Sequence, residues 1–506
     1  MRQKNTIHYW HTSKRNMKHF FKLCAVISLT ILISLISVYK SPPARRARGG
    51  SALPGHASCR SLFTITRAPD NNLWFPEMSE AIRRVRHLIQ KRSSPMGATS
   101  EDYRRLGELL PALLTIQDNN STNGQGGNQT KREPSATLRS TTRLGATGGV
   151  LPYVPCTIAP FDDPATVTAC LRKRLAKGAL WIDFFGDSKL RVLFYEFLRR
   201  TDSEYHYRVK LQNSTKRYEE LRLNFGNLHH DMEATTDLEP RLRITFSFRP
   251  FVEMAPSLVR ESAELRQLGK WARGEERPPQ LLLLGYTTWM MQRMFFVYSH
   301  DAYSYIMHMH RAVVPLLQQI SQKTRVLVIA ESRYREHAVS NLLKNNRILY
   351  GDASIDWSAM VFLYYLQQYK QQQSPHTPSR ASTAHTTPVT WSQDENLHHD
   401  DPTPKAHSQT ILDHMVPREA DGGVWWWDTG LPLNMAAIGE CDELYHRGLV
   451  SIPAYNGAHL KCGDFHHAGT ATLSDMVTML FNLMCNSLLG AHNTFCCSRG
   501  VEQNKI

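Results

Sequence analysis

Residues 180 to 191 read LWIDFFGDSKLR, running from a near-continuous apolar stretch through Gly186-Asp187-Ser188 into a helical pattern. An apolar run of this length, Leu180 to Phe185, predicts a strand covered on both faces, the kind found in parallel sheets. The residues after it, Lys189 to Arg200, carry the apolar spacing of a helix. Ser188 therefore stands where a buried strand turns into a helix. There the unpaired backbone N–H groups and the positive end of the helix dipole can meet a developing oxyanion. Gly186 permits the tight backbone path such a turn needs. The same residues also suit a plain helix N-cap, because Ser and Asp favour that position.

Working outward, Arg243–Phe248, Gln280–Leu284 and Arg325–Ile329 are further strand candidates, separated by helical stretches such as Arg191–Arg200 and Ala302–Gln319. Apolar strands alternating with helices predict an α/β fold built on a parallel sheet. Far downstream stands Asp464-Phe465-His466-His467. A carboxylate three residues before a histidine lets one loop supply both a general base and the acid that orients it, which is what a serine nucleophile requires. Ser188, Asp464 and His467 then form a triad in the chain order Ser, Asp, His. Taken alone, the second motif also fits a surface loop with solvated histidines. The apolar run Met476–Leu489 predicts a terminal helix that clamps this loop to the sheet. His229-His230-Asp231 and His398-His399-Asp400-Asp401 read as solvated charge or insertion composition, and Trp425-Trp426-Trp427 as buried packing rather than a sugar-stacking platform.

The chain of 506 residues is too long for one ordinary core. Residues 23–39 form an uncharged apolar run at the lower length limit for a spanning helix, preceded by Arg2, Lys4, Lys14, Arg15, Lys18 and Lys22 with no acid. That asymmetry predicts a cytoplasmic tail (1–22) and a type II signal anchor (23–39), with a cleaved signal peptide as the competing reading. Residues 40–150 read as a lumenal stem and linker. Within it Ala81, Ile82, Val85, Leu88 and Ile89 trace a helix face, and Asp118–Thr142 is Gly/Asn/Ser/Thr-rich. Arg45-Arg46-Ala47-Arg48 reads as a juxtamembrane basic cluster, with convertase cleavage as the alternative. The catalytic domain is expected at 151–497, interrupted by a disordered insertion at 371–420 whose Gln/Ser/Thr/Pro/His composition cannot form a core.

Two features agree with a lumenal domain. The glycosylation acceptors Asn119, Asn120, Asn128 and Asn213 all lie beyond the anchor. Of the nine cysteines, Cys24 falls within the apolar run; Cys59, Cys156, Cys170, Cys441, Cys462, Cys485, Cys496 and Cys497 remain for disulfides. Their pairing is left open, including whether Cys156 and Cys170 pair with each other or with a C-terminal partner such as Cys485. No Cys-x-x-Cys pair occurs, so no zinc or other metal site is expected. The net charge is +15, and removing the six tail cations leaves the rest basic. Anionic ligands should therefore be steered to it. Arg191, one helical turn beyond Ser188, suits a carboxylate.

Together these motifs resemble the PC-esterase branch of the GDSL/SGNH superfamily, in particular the lumenal domain of sialate O-acetyltransferases. The resemblance rests on Cys156 and Cys170 before the strand, Gly186-Asp187-Ser188-Lys189-Leu190-Arg191, Gly285-Tyr286-Thr287-Thr288-Trp289, Asp464-x-x-His467, and Asn482-Leu483-Met484-Cys485-Asn486. It implies an SGNH-like three-layer domain with Ser188 as nucleophile, His467 as base and Asp464 as its orienter. It also implies an oxyanion site at the Ser188 and Gly285 backbones, with Arg191 and Trp289 as substrate-binding candidates. The implied activity is acyl transfer, of acetyl above all, to glycan hydroxyls such as those of sialic acid in Golgi or other secretory membranes. No bound cofactor and no nucleic-acid partner are implied; the acyl donor would be acetyl-CoA. A carbohydrate esterase and a catalytically silent glycan binder are the alternatives. This chain departs from the pattern in lacking a Gly-x-Asn-Asp block and in carrying Phe465 where relatives have glycine. It also ends at Ile506, where long relatives continue into a multi-spanning region, so the donor's delivery is not implied by the residues present, and a multi-spanning partner is one route for it.

Overall fold

The computed structural model describes residues 59–66, 78–92, 94, 97–117, 135–155, 157–222, 229–251, 262–287, 289–290, 302–330, 335, 352–373, 423–449, 459–464 and 466–489. The tail, the expected anchor at 23–39, the Arg45–Arg48 cluster, Asn119, Asn120, Asn128, Cys24, Cys156, Cys496, Cys497, Phe465 and all of the insertion beyond residue 373 lie outside the described residues. No helix among the described residues is long and apolar enough to cross a membrane.

A short hairpin comes first, β1 (Leu114–Gln117) pairing antiparallel with β2 (Ser135–Leu138). The main sheet has eight strands: β3 (Leu180–Gly186), β4 (Arg208–Leu211), β5 (Ser214–Arg217), β6 (Met232–Thr235), β7 (Leu242–Phe248), β8 (Leu281–Gly285), β9 (Arg325–Ile329) and β10 (Val424–Trp427), in the spatial order β10-β9-β8-β3-β7-β6-β4-β5. The first five in that order run parallel, and the last three extend the sheet by antiparallel pairing. Sequence explains the division. β8 (LLLLG), in the middle of the parallel strands, is buried at every position, and so is β10 (VWWW) at the sheet edge. β4 alternates exposed and buried side chains, the pattern of a half-covered strand near an edge. Among the five parallel strands the chain starts at β3, steps outward to β7, then crosses back to β8 on the other side. The carboxyl ends of β3 and β8 thus flank the point where strand order reverses, where crevices open in sheets of this kind.

Helices lie against both faces. Phe184 of β3 meets Phe194 and Phe197 of the helix Ser188–Arg199 at 5.8 and 5.9 Å between ring centroids. Its neighbour Phe185 points the opposite way, onto Trp271 of the helix Ala263–Arg273 at 5.6 Å. Alternation along one strand therefore serves two layers of packing. The apolar terminal helix, Thr470–Leu489, starts six residues before its expected first residue. Its buried Asp475 accepts hydrogen bonds from the backbone N–H groups of Arg143 (3.0 Å) and Leu144 (3.1 Å), and the disulfide Cys170–Cys485 ties it to the helix Pro164–Leu175.

The expected boundary at residue 151 is corrected. Leu62, Phe63, Val85, Leu88 and Leu106 are fully buried and belong to the same core as the sheet. Each such side chain contributes about 1.5–3 kcal/mol by leaving water. Asp428, at the end of β10, accepts from the Tyr103 hydroxyl (2.8 Å), the Ile65 backbone (2.9 Å) and the Arg92 guanidinium. Buried charge is tolerated only when paired and hydrogen-bonded in this way. The segment read as a stem thus carries part of the domain from residue 59 onward, and residues 135–142, read as linker, supply β2 and the N-cap Thr142.

Candidate active site

The strand–turn–helix around Ser188 resolves the two readings of Gly186-Asp187-Ser188. Asp187 is the N-cap: its backbone is extended and its carboxylate accepts from the Lys189 N–H at 2.9 Å. Ser188 is the first helical residue, so its own N–H is among those a helix leaves unpaired. Gly186 and Gly285 sit side by side on β3 and β8. A Cβ on Gly186 would lie 1.8 Å from the Gly285 carbonyl oxygen, and one on Gly285 would lie 2.4 Å from Cδ2 of Leu190. That same Gly285 oxygen accepts from the Asp187 N–H at 3.1 Å. Two glycines therefore let the strand ends close up under the turn.

His467 comes to Ser188 from 279 positions away, with Nε2 2.8 Å from Oγ. Its Nδ1 lies 2.8 Å from Oδ2 of Asp464. With Asp464 ionised, Nδ1–H donates to the carboxylate, leaving the Nε2 lone pair to accept the Ser188 hydroxyl proton. Burial raises the pKa of Asp464, but the His467 hydrogen bond and the His467 and Lys461 contacts outweigh it, holding the carboxyl well below the usual range. Burial lowers the pKa of His467, and Asp464 partly restores it. The base is neutral at physiological pH.

The loop is held rigidly. Oδ1 of Asp464 accepts from the backbone N–H groups of His466 (3.1 Å) and His467 (3.0 Å), and Lys461 Nζ approaches Oδ2 at 2.9 Å. Just upstream, the disulfide Cys441–Cys462 fastens the loop to the helix Gly430–His446. Arg335, 2 % exposed, donates to the carbonyls of Asp464 (2.5 Å), His467 (2.8 Å) and Leu460 (3.1 Å). Nothing in the sequence marks Arg335, because its partners are main-chain atoms. His466 stacks on His467, ring centroids 3.6 Å apart, and its pKa is pushed down to about 2 by burial, then by His467 and Lys189. The ring nitrogen placed against Ser188 Oγ is Nε2 of His467. Lys189 is half-buried, and its pKa is pushed down to about 8 by desolvation, against the pull of Asp187 and Asp464. Asp464, His466 and His467 could also bring three ligand atoms within 4.8 Å of one another, the arrangement of a metal site.

The substrate candidates converge on a residue the sequence reading passed over. Arg191 is nearly buried, and its field lowers the pKa of His229 after burial has done so. The indole of Trp289 meets the His229 ring edge-on at 5.2 Å, and His229 lies 5.1 Å from Phe248 at the end of β7. The reading of His229-His230-Asp231 as solvated charge is corrected for His229; Asp231 is exposed, where it pairs with Arg249 at 2.6 Å and accepts from the Phe248 N–H at 2.8 Å. His230 is exposed. Trp425, Trp426 and Trp427 are buried as β10, in keeping with packing rather than sugar stacking. Cys170 pairs with Cys485 and not with Cys156, and Cys59 is disulfide-bonded as well. Asn213 is exposed at the turn between β4 and β5.

No protein-family model matches the chain, and neither a curated protein nor a solved structure matches it.

Proposed function

We propose that the protein is a serine-dependent acyl-transfer enzyme of the SGNH type acting on glycan hydroxyls. The observation that carries this reading is the unbroken Ser188–His467–Asp464 hydrogen-bond chain at the carboxyl ends of β3 and β8. Such a chain lets the hydroxyl lose its proton as it attacks. The Ser188 oxygen bonds to the carbonyl carbon of an acyl ester or thioester while its proton passes to Nε2 of His467. The oxyanion that forms faces the N–H groups at the start of the helix Ser188–Arg199, with the Gly285 region beside it. Collapse breaks the bond to the leaving group, which takes the proton from His467 and departs, leaving acyl-Ser188. A sugar hydroxyl then gives its proton to His467 and bonds to the acyl carbon. Ser188 leaves with that proton and the sugar carries the ester.

Water in place of the sugar makes the same site an esterase. Acetyl is the group proposed, with acetyl-CoA as donor class and a sialylated glycan as acceptor, on the resemblance of the motifs to sialate O-acetyltransferases and on the chain's net charge of +15. A secretory compartment, with the chain anchored as a type II membrane protein, agrees with the disulfides Cys170–Cys485 and Cys441–Cys462, which persist where the milieu is oxidising. The test is ester analysis of cell glycans with and without the protein. The proposal expects O-acetyl groups to rise with the wild type and not with Ser188→Ala. A fall in O-acetyl groups would make the protein an esterase, and no change in either would reject the reading.

A further inference from the structure

An open groove crosses the face of the sheet where β3, β7, β6 and β4 adjoin, on the side opposite the helix Ser188–Arg199. Trp181 and Asp183 of β3, Arg243, Thr245 and Ser247 of β7, and Lys210 of β4 line it. Its floor mixes polar groups with the apolar side chains of Met232, Phe246, Phe248 and Trp271. Asp183, fully buried, accepts the hydroxyls of Thr245 (2.7 Å) and Ser247 (2.9 Å), and Thr245 accepts from the indole N–H of Trp181 at 2.8 Å. Arg243 lies over the Trp181 ring at 4.5 Å and pairs with Glu233 at 2.6 Å. A row of hydroxyls and bidentate ions along a parallel strand is unusual where a covered apolar face would be the rule.

One end of the groove adjoins the strand–helix turn that carries the nucleophile. That end is formed by His229, Phe248 and Arg249. The Arg249 backbone N–H donates to the Gly186 carbonyl at 2.7 Å, two residues before Ser188. From Arg243 to Phe248 the strand spans roughly 17 Å at about 3.3 Å per residue, room for a short chain of sugars.

We infer that this groove holds the body of an oligosaccharide acceptor whose terminal sugar reaches Ser188 past His229 and Trp289. The inference rests on the acyl-transfer reading. The chemistry singles out a glycan. Cations and acids alternate along the floor, which disfavours a polyanion such as nucleic acid. Lys210, Gln212, Glu233 and Arg243 offer amine, amide, carboxylate and guanidinium groups that match vicinal sugar hydroxyls, and Trp181 offers apolar surface to the faces of the rings.

The probes are N-acetyllactosamine oligomers of one, two and three repeats, titrated against Ser188→Ala protein by tryptophan fluorescence. Affinity should rise at least 10-fold from one repeat to three. The exposed pair Lys210→Ala/Arg243→Ala, and separately Trp181→Ala, should abolish that rise. Placed in the otherwise wild-type protein, the same substitutions should leave hydrolysis of p-nitrophenyl acetate unchanged. Affinity independent of length, or a length dependence retained in Lys210→Ala/Arg243→Ala, overturns the groove. Length-dependent binding by a protein that cannot hydrolyse p-nitrophenyl acetate supports the groove and counts against the acyl-transfer reading alone.

Discussion

The Arg335 guanidinium donates to the carbonyl oxygen of His467 at 2.8 Å, and the same Nη1 reaches the carbonyl of Asp464 at 2.5 Å. One buried cation thus fixes the main chain of both the base and its orienter, and a shift at Arg335 displaces both at once.

Arg335→Ala leaves those buried carbonyls without donors, and misplacing a catalytic group by about 1 Å costs on the order of 100-fold in rate. We expect kcat to fall by roughly that factor with KM little changed, and Arg335→Lys to recover part of the loss. Added guanidinium should partly rescue Arg335→Ala. Steady-state kinetics on a small acetyl ester decide the point; equal losses in Arg335→Lys and Arg335→Ala, with no rescue, would reduce Arg335 to a general stability residue.

The two adjacent histidines should behave differently. Ser188→Ala and His467→Ala should each lower activity by roughly three orders of magnitude or more, and Asp464→Asn by a comparable amount. His466→Ala should be much milder, because its ring lies tilted against the base and its main-chain hydrogen bond to Asp464 survives the substitution. Since Asp464, His466 and His467 could also hold an ion, the same assay in chelator discriminates. The triad predicts unchanged turnover; a loss restored by added metal would replace it with a metal centre.

Much of this was legible in advance, and for a definable reason. β9 was read as Arg325–Ile329 and lies there, since a bounded apolar run carries its own signature. Asp464 and His467 were legible because three residues separate them. The antiparallel strands β4 to β6 were not, because RVKL, STKR and MEAT are too short and polar to stand out. The domain start was misread because the helix Met78–Arg92 gives a local pattern, whereas its anchor, Asp428, lies 336 positions away. His229 looked solvated because only the tertiary fold brings Phe248 and Trp289 onto it.

The disulfide Cys441–Cys462 closes a span of 21 residues and ends two positions before Asp464. Closing such a loop contributes about 3 kcal/mol by restricting the unfolded chain. Cys441→Ser/Cys462→Ser should lose activity at a temperature below that of global unfolding, read by assaying turnover alongside circular dichroism. Coincident losses would place the disulfide in general stability instead of in the loop.

The pH dependence follows from His467. Its pKa lies below the ordinary imidazole value of about 6.5 because burial disfavours the charged form. A general base works unprotonated, so activity is present above that pKa and lost below it. The acid limb of kcat/KM should therefore have its midpoint below about 6.5; a midpoint above it contradicts the buried, neutral base. Stability runs the same way. His467 and His466 both take up protons more readily when unfolded, so acid destabilises the fold as pH drops through about 6.5.

The most direct test of the central claim is covalent capture of the nucleophile with a fluorophosphonate probe, followed by peptide mapping. The account predicts a single adduct on Ser188, absent from His467→Ala, because only an oxygen activated by that histidine attacks the phosphorus. A wild-type protein that takes up no probe at Ser188, or a Ser188→Ala protein labelled as strongly as the wild type, would contradict it.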